Sequence, residues 1–293
     1  MGTGGIYAGL SGATLETDEF ELGHGLKISK TFAHLMAPFI MAFAPAPPGK
    51  HHPGPWSAVS GGMGFDILAE IFVPQDLEEA LSLSPTFAAW WITAFVRLRL
   101  GPSVVVPVIG THAFSAAKEL GQKVTFHPIE VERPSLNLDP AARTSLSETD
   151  LAWIKRYWVA TAQLFEESRK FRLLFEAVDQ CTFARHATLA LLWLWGGLEA
   201  VFSPAKNELR YRISSSIACY LESSGLGRMS VQKRIAKLYD SRSAAAHGRT
   251  DKESGSLTET YRLARRATLK IVEQNHVPTQ EELEAKLFGA DPT

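Results

Sequence analysis

An arginine and a histidine lie five residues apart near the C-terminal end of this chain, in the segment from Tyr239 to Arg249. Apolar residues precede Arg242 at helical spacing, so the segment is predicted to close a helix and to place a permanent charge on its apolar stripe. A buried guanidinium needs a carboxylate, a path to solvent or an anion. Because histidine exchanges protons near neutral pH, Arg242 and His247 are the residue types that acid–base chemistry on a phosphate requires.

Five residues in this segment have the types and spacing of a known family motif: Tyr239, Arg242, Ser243, His247 and Gly248. Tyr-x-x-Arg-Ser-x-x-x-His-Gly at the end of a helix resembles the signature of the Apea-like branch of the HEPN superfamily (higher eukaryotes and prokaryotes nucleotide-binding). The family motif is Arg, four to six residues, then His, and Arg242-x4-His247 matches it. The resemblance covers residues 151–275. It implies a helical bundle that uses neither metal nor other cofactor and, as in many members, cleaves RNA as an endoribonuclease.

The resemblance also implies roles for the residues of the motif. His247 is expected to be the general acid or base, and Arg242 is expected to orient and neutralise the scissile phosphate, so that both are catalytic. Ser243 is predicted to orient His247 or to bind the substrate, although family members often carry Asn, Asp or His there. Tyr239 is predicted either to stack on a base or to pack in the core.

Further charged residues are predicted to support this site. Glu199, the lone carboxylate on an otherwise apolar helix, or Asp240 is expected to hold the Arg242 side chain. Three arginines are candidates for phosphate or RNA contacts: Arg210, Arg212 and Arg249. Simpler roles stay open, with Arg242 as a structural partner of Glu199, His247 as a favourable charge at a helix end, and Arg249 in solvent.

The separation of Arg242 and His247 predicts how the site is assembled. Residues five apart on a straight α-helix differ by about 140° in direction and by roughly 7.5 Å along the axis. Either the helix ends before His247, or a second chain supplies another copy of the motif. The resemblance implies a homodimer with two motifs facing one cleft. A prokaryotic toxin or phage-defence effector is the expected role, and a non-catalytic RNA-binding, nucleotide-binding or dimerisation module is the alternative.

Composition limits the class of protein. The two cysteines lie in apolar, helical patterns, which suits a reduced cytoplasmic protein without disulfides. No secretory signal opens the sequence, and the most apolar stretches contain prolines or arginines, so no membrane partner is expected. His24, His51 and His52 lack metal-binding spacing, so no metal is expected. Formal net charge is −1, but residues 150–293 carry +4 and residues 1–149 carry −5, which favours phosphate contacts in the C-terminal part.

The pattern of elements predicts an α+β fold. Residues 1–145 are predicted to form a small mixed α/β domain whose role the sequence does not show, with a sensory or regulatory role as the candidate. Residues 146–293 are predicted to form an all-α antiparallel bundle. In the first part we expect a mobile segment or short edge strand over residues 1–18, a hairpin over Phe20–Ile28, a loop over Pro45–Pro55, a turn at Gly61–Gly64, a buried helix over Thr86–Leu100, and strands over Leu68–Val73, Val104–Ile109 and Val124–Val131.

Five helices are predicted in the second part. The first begins at a capping box over Ser147–Asp150 and continues past Val178. The second is apolar on all sides and is therefore expected at the centre of the bundle. The remaining predictions are a second helix over Phe183–Phe202, a third over Lys206–Glu222, a fourth that is capped by Ser230 and carries the motif, and a fifth that begins at Leu257.

Overall fold

The computed structural model describes residues 4–203, 209–246 and 254–290. Within these ranges the chain is of mixed α/β type. It forms two compact units. The first contains Met1–Thr93, Val104–Glu132 and Thr144–Glu148, and the second contains Ala94–Ser103, Arg133–Arg143 and Thr149–Thr293. Two short segments that precede residue 145 in sequence therefore belong to the second unit.

The first unit contains the strands. They are β1 (Gly5–Ser11), β2 (Thr14–Leu15), β3 (Glu19–Gly23), β4 (Leu26–Ala42), β5 (Trp56–Pro74), β6 (Val105–Gly110), β7 (Phe126–Pro128) and β8 (Ser145–Leu146). Six of them form an antiparallel sheet in the order β3-β4-β5-β1-β6-β7, and β2 pairs with β8 in parallel. Strand Val105–Gly110 overlaps the predicted Val104–Ile109. Strand Phe126–Pro128 lies within the predicted Val124–Val131 but is much shorter.

Strand β1 corrects one prediction. Residues 1–18 were expected to be mobile or to form an edge strand, but β1 lies between β5 and β6, with Ala8 and Leu10 fully buried. A Cβ atom on Gly9 would lie 2.9 Å from the Ile67 side chain. The glycine that suggested flexibility therefore permits close packing.

Two hairpins dominate the sheet. The hairpin predicted over Phe20–Ile28 is confirmed, since β3 and β4 pair across the turn at Gly23–Gly25. Strands β4 and β5 pair from Lys27↔Phe72 as far as Ala42↔Trp56. Gly61–Gly64 lies inside β5, where Gly62 pairs with Pro38, so the predicted turn is wrong. The connection over residues 45–55 is exposed, as predicted.

The helices are α1 (Leu77–Leu81), α2 (Pro85–Arg99), α3 (Phe114–Leu120), α4 (Glu148–Glu167), α5 (Arg169–Gln180), α6 (Ala187–Phe202), α7 (Leu209–Leu221), α8 (Leu226–Ala246), α9 (Ser254–Gln274) and α10 (Gln280–Leu287). The predicted helix over Thr86–Leu100 is confirmed by α2, whose Trp91 and Phe95 are fully buried. None of the helices in the described ranges has the length and apolarity that crossing a membrane requires.

The helices of the second unit pack around α6. Helix α6 contacts α5, α7, α8 and α9, and its Leu194, Trp195 and Leu198 are fully buried. A Cβ atom on Gly197 would lie 2.8 Å from the Leu174 Cα atom, so glycine allows α5 and α6 to approach closely. The expectation of burial on all sides is only partly met, because Trp193 remains 40% exposed.

Two helix boundaries differ from the predictions, and one helix was not predicted. The long first helix is divided at Ser168, whose side chain accepts a hydrogen bond from the Phe171 amide and caps α5. Helix α8 begins at Leu226, so Ser230 lies inside it and does not cap it. Helix α10 was not predicted, although Thr279 and Glu282 form a capping box at its start. This pattern in the sequence was sufficient to find it.

Candidate functional site

Three helix ends carry most of the predicted site residues. Glu199 lies in the last turn of α6, Arg210 in the first turn of α7, and Arg242 in the last two turns of α8. Ion pairs connect these ends, because Arg242 contacts Glu199 and Arg210 contacts Asp240. Glu199 and Arg242, which are 43 positions apart in the sequence, thus meet where these helix ends come together.

The pairing of Arg242 with Glu199 agrees with the prediction. Arg242 Nη2 lies 3.2 Å from Glu199 Oε1 and donates a hydrogen bond of 3.5 Å to Oε2. The Arg242 and Glu199 side chains are 29% and 25% exposed. The pair is therefore partly shielded from water, which strengthens its attraction relative to a fully exposed pair. Part of the Arg242 side chain remains exposed to solvent.

The guanidinium of Arg242 retains unused hydrogen-bonding capacity. Its Nε atom is shielded from solvent and has no hydrogen-bond partner among the residues that the structure describes. A guanidinium has five N–H donors, and phosphate oxygens accept from them in pairs. Arg242 is thus oriented by one carboxylate without being saturated by it.

Tyr239 lies one turn before Arg242 and packs in the interior. It is 8% exposed, and its ring meets the ring of Trp195 edge-on, with centroids 5.0 Å apart. The Arg242 guanidinium carbon lies 5.7 Å from the centre of the same ring. Of the two predicted roles, packing is the one that the structure supports, because a ring buried against Trp195 does not offer a face to a base. The Tyr239 ring instead stabilises the Arg242 guanidinium through a cation–π contact.

Burial, followed by the nearby Glu199 carboxylate, raises the pKa of the Tyr239 hydroxyl. A raised pKa keeps the phenol neutral, so that it remains a hydrogen-bond donor. The Glu199 carboxylate near this phenol also holds Arg242. Glu199, Tyr239 and Arg242 therefore form one connected cluster between α6 and α8.

Arg210 and Asp240 form a separate ion pair. Arg210 Nε and Nη2 donate to the two carboxylate oxygens of Asp240 at 2.6 and 2.7 Å, in a bidentate arrangement. The suggestion that Asp240 holds Arg242 is wrong, because Asp240 faces α7. Arg210 was predicted to contact phosphate, but its planar fork is occupied by Asp240, so a phosphate has to compete with this carboxylate.

Arg212 lines a surface cavity of about 380 Å³ between α7 and α10. Tyr211 and Phe288 also line it, and both rings are more than half exposed. This combination of a cation and exposed aromatic rings is typical of sites that bind unpaired nucleotides. Of the residues that line this cavity, only Arg212 was predicted from the sequence. Tyr211 and Phe288 were missed, because the cavity depends on α10.

Ser243 follows Arg242 on α8 and is half-buried. Its predicted roles toward His247 and the substrate stay predictions. His247, Gly248 and Arg249 lie outside the described residues. Among the described residues, no three His, Cys, Asp or Glu side chains form a group that is suited to a metal ion.

Comparisons with models of protein families, with curated proteins and with solved structures find no match to this chain. The resemblance to the HEPN superfamily therefore rests on the sequence motif from Tyr239 to Gly248 alone.

Proposed function

We propose that the chain is a metal-independent endoribonuclease of the HEPN type, with Arg242 and His247 as its catalytic residues. The observation that carries the proposal is the state of Arg242. Glu199 and Tyr239 hold its guanidinium at a meeting point of three helix ends, and the Arg242 side chain is still 29% exposed to solvent. An arginine arranged in this way is suited to binding a phosphate group that carries negative charge.

The proposed reaction uses the nucleophile that RNA itself contains. The 2′-oxygen forms a bond to phosphorus, the bond from phosphorus to the 5′-oxygen breaks, and a 2′,3′-cyclic phosphate and a 5′-hydroxyl result. The proton of the 2′-hydroxyl must be removed, and the 5′-oxygen must receive one. His247 is the residue of the motif that performs one of these transfers near neutral pH.

Arg242 supplies the second requirement of the reaction. Negative charge accumulates on the non-bridging phosphate oxygens as the phosphorus becomes five-coordinate, and a fixed guanidinium stabilises that charge. Glu199 and Tyr239 are proposed to position Arg242 rather than to contact RNA. Ser243 is proposed to assist His247, and Arg212 to bind the phosphate or base of a neighbouring nucleotide.

The complete site is proposed to require two copies of the chain. In this arrangement two helical bundles, each formed by residues 146–293, associate and place two motifs at one cleft. The N-terminal mixed α/β region then restrains or triggers cleavage. A cytoplasmic toxin or phage-defence effector is the biological role that fits such a regulated nuclease.

One observation favours a second candidate function. The ion pair of Arg242 with Glu199 connects α6 to α8, and this contact has a structural value without any catalysis. The alternative is therefore a non-catalytic module that binds RNA or a nucleotide, or that dimerises. In that case the chain protects or binds RNA and does not cut it.

RNA cleavage in the presence of EDTA tests the proposal. The wild type and His247→Ala are compared on structured and unstructured RNA, after both are shown to be folded. His186→Ala is the matched control, because His186 is exposed at the start of α6 and makes no capping side-chain bond there. It lies 13 residues from Glu199, roughly 20 Å along the helix.

The proposal requires cleavage by the wild type and His186→Ala but not by His247→Ala, with cyclic phosphate ends on the product. Cleavage that His247→Ala retains in full removes His247 from the mechanism. RNA binding without cleavage by the intact chain supports the alternative.

A further inference from the structure

The distal part of the β4–β5 hairpin projects beyond the rest of its sheet. We call residues 36–64 the β-arm. Within the described residues, pairing of β3 with β4 ends at Ser29, and pairing of β1 with β5 ends at Ile67. Strands β4 and β5 continue to pair with each other to Ala42↔Trp56. The β-arm is thus a two-stranded ribbon in which neither outer edge is paired with another described strand.

The β-arm exposes many large apolar side chains. Seven of them are exposed by 38% to 74% of their surface: Met36, Phe39, Ile40, Met41, Phe43, Trp56 and Val59. An aromatic side chain has a total surface of about 150–250 Å², and an aliphatic one has somewhat less. The exposed fractions of these seven side chains therefore add up to roughly 800 Å². A standard protein interface covers about the same area on each partner, whereas monomers rarely expose such a patch.

Both faces of the ribbon carry these side chains. Successive residues of a strand point to opposite faces, so Ile40 and Met41 lie on opposite sides, and Trp56 shares the face of Ile40 because it pairs with Ala42. Ile40, Met41 and Trp56 are all more than half exposed. A flat partner surface covers only one of the two faces, so the occupant has to enclose the arm.

The small number of charged residues in the β-arm further limits which partner can cover it. The β-arm contains no Asp or Glu, and Lys50 is its single Lys or Arg. Two such arms do not repel each other along their strands, which is what self-association requires. The interior of a bilayer also accepts uncharged residues, but it penalises unpaired backbone groups on open strand edges. A second β-arm can pair with such an edge.

We propose that the β-arm is a homotypic association element, through which two copies of this chain exchange arms. In the exchanged state each arm lies against the other copy, so its free edges gain backbone hydrogen bonds and its apolar faces leave water. An isolated two-stranded hairpin is only marginally stable in water. The partner arm supplies the missing stabilisation. This contact lies in the first unit and is independent of the proposed nuclease site in the second.

The local structure of the arm tip supports an ordered element. The Trp56 indole N–H donates to the carbonyl oxygens of His52 and Pro53 at 3.2 and 3.1 Å. His52 Nδ1 lies 2.9 Å from the Ala44 carbonyl oxygen. These contacts use the polar atom of Trp56 within its own chain, so the exposed part of its ring is free for apolar contact.

Sedimentation velocity of the full chain over a range of concentrations tests the proposal. The variant Met41→Glu/Trp56→Glu places a carboxylate on each face of the β-arm. Leu226→Glu/Met229→Glu is the matched control, because both of its residues are large, apolar and about half exposed or more, but lie on α8. The arm variant is expected to raise the dissociation constant of one association step at least tenfold, and the control to leave it unchanged.

A second variant reports the arm contact directly. Met41→Cys is expected to form a cross-linked dimer on oxidation, while the native Cys181 and Cys219 are buried. A monomeric wild type at tens of micromolar overturns the proposal, as does an assembly whose mass the arm variant does not change. Binding of a monomer to phosphatidylglycerol vesicles also overturns it, by showing that lipid covers the arm. None of these outcomes depends on nuclease activity.

Discussion

Glu199 on α6 and Arg242 on α8 form an ion pair in which Oε1 and Nη2 are 3.2 Å apart. Each residue is the unusual member of its surroundings, since Glu199 is the lone carboxylate of an apolar helix and Arg242 occupies an apolar stripe. A partly shielded pair at this position both joins two helices and fixes the direction of a guanidinium. The two effects are separable by experiment, because the first is expected to change stability and the second the rate of the proposed RNA cleavage.

We expect Glu199→Gln to reduce cleavage more than it reduces stability. Glutamine retains the size of the side chain but loses its charge, so Arg242 is no longer held firmly. The loss in kcat/KM is expected to be about 10- to 100-fold, because small errors in position have large effects on rate. The free energy of unfolding should fall by only about 1 kcal/mol.

The control for this experiment is Glu259→Gln on α9. It removes the carboxylate that pairs with Arg234, an exposed arginine on α8, the helix that also carries Arg242. It is expected to change neither quantity appreciably. A Glu199→Gln enzyme with full activity and reduced stability leaves Glu199 with a structural role alone.

Arg242→Lys is expected to lower kcat/KM at least tenfold with the chain still folded. Lysine keeps the positive charge but lacks the planar pair of donors that matches two phosphate oxygens. Arg234→Lys makes the same chemical change on the same helix, at a residue that is exposed and paired with Glu259. Equal activity of the two variants shows that a bidentate contact to phosphate is not the function of Arg242.

The sequence predicted the site pair because each partner departs from the pattern around it. It did not predict that Arg210 pairs with Asp240, since both lie on exposed faces where many charges are present and no pattern indicates the partner. The bidentate geometry depends on how α7 and α8 pack. Contacts of this kind follow from tertiary structure and not from spacing along one helix.

In the fold, too, most of the elements that local sequence determines were predicted, and the elements that depend on tertiary contacts were missed. The hairpin at Gly23–Gly25 and helix α2 were predictable, because turn residues and apolar periodicity act locally. The interior position of strand β1 was missed because glycines such as Gly9 weaken the local signal, while β5 and β6 on either side of it stabilise it. Gly61–Gly64 was assigned to a turn for the same reason, although pairing with β4 makes it part of a strand.

Within the second unit, Asp179→Ala is expected to destabilise the protein by about 3 to 5 kcal/mol. Arg97 Nη1 lies 2.9 Å from Asp179 Oδ1, and both side chains are 3% exposed. Removal of the carboxylate takes an ion-pair partner away from a buried guanidinium. Asp240→Ala removes the carboxylate of an exposed pair and should cost less than about 1 kcal/mol. Urea unfolding measures both, and similar values for the two variants would contradict this account.

Arg212→Ala is expected to weaken RNA binding without slowing cleavage of bound RNA. One lost phosphate contact should reduce the slope of log affinity against log salt concentration by roughly 1. Arg169→Ala is the control, because Arg169 is an exposed arginine at the start of α5. Binding is measured by titration into a labelled single-stranded RNA at several salt concentrations, and saturating single-turnover kinetics measures cleavage. An unchanged salt slope removes Arg212 from the interface.

The pH dependence of stability is expected to change in Glu70→Gln. Glu70 is 5% exposed, and burial raises the pKa of its carboxyl group, although the hydrogen bond that it accepts from the Phe114 amide opposes the shift. The folded chain therefore binds this proton more tightly than the unfolded chain does. The contribution of Glu70 to stability is full below its ordinary pKa of 4.5 and is lost as pH rises through the folded pKa.

Glutamine has no proton to lose and still offers an oxygen to the Phe114 amide. The free energy of unfolding of Glu70→Gln should thus increase relative to the wild type between pH 4 and pH 7. Urea unfolding at closely spaced pH values measures this difference. Glu21→Gln, at an exposed position of β3, is the control and should run parallel to the wild type. Parallel curves for Glu70→Gln as well would show that the Glu70 carboxyl has the same proton affinity in the folded and unfolded chain.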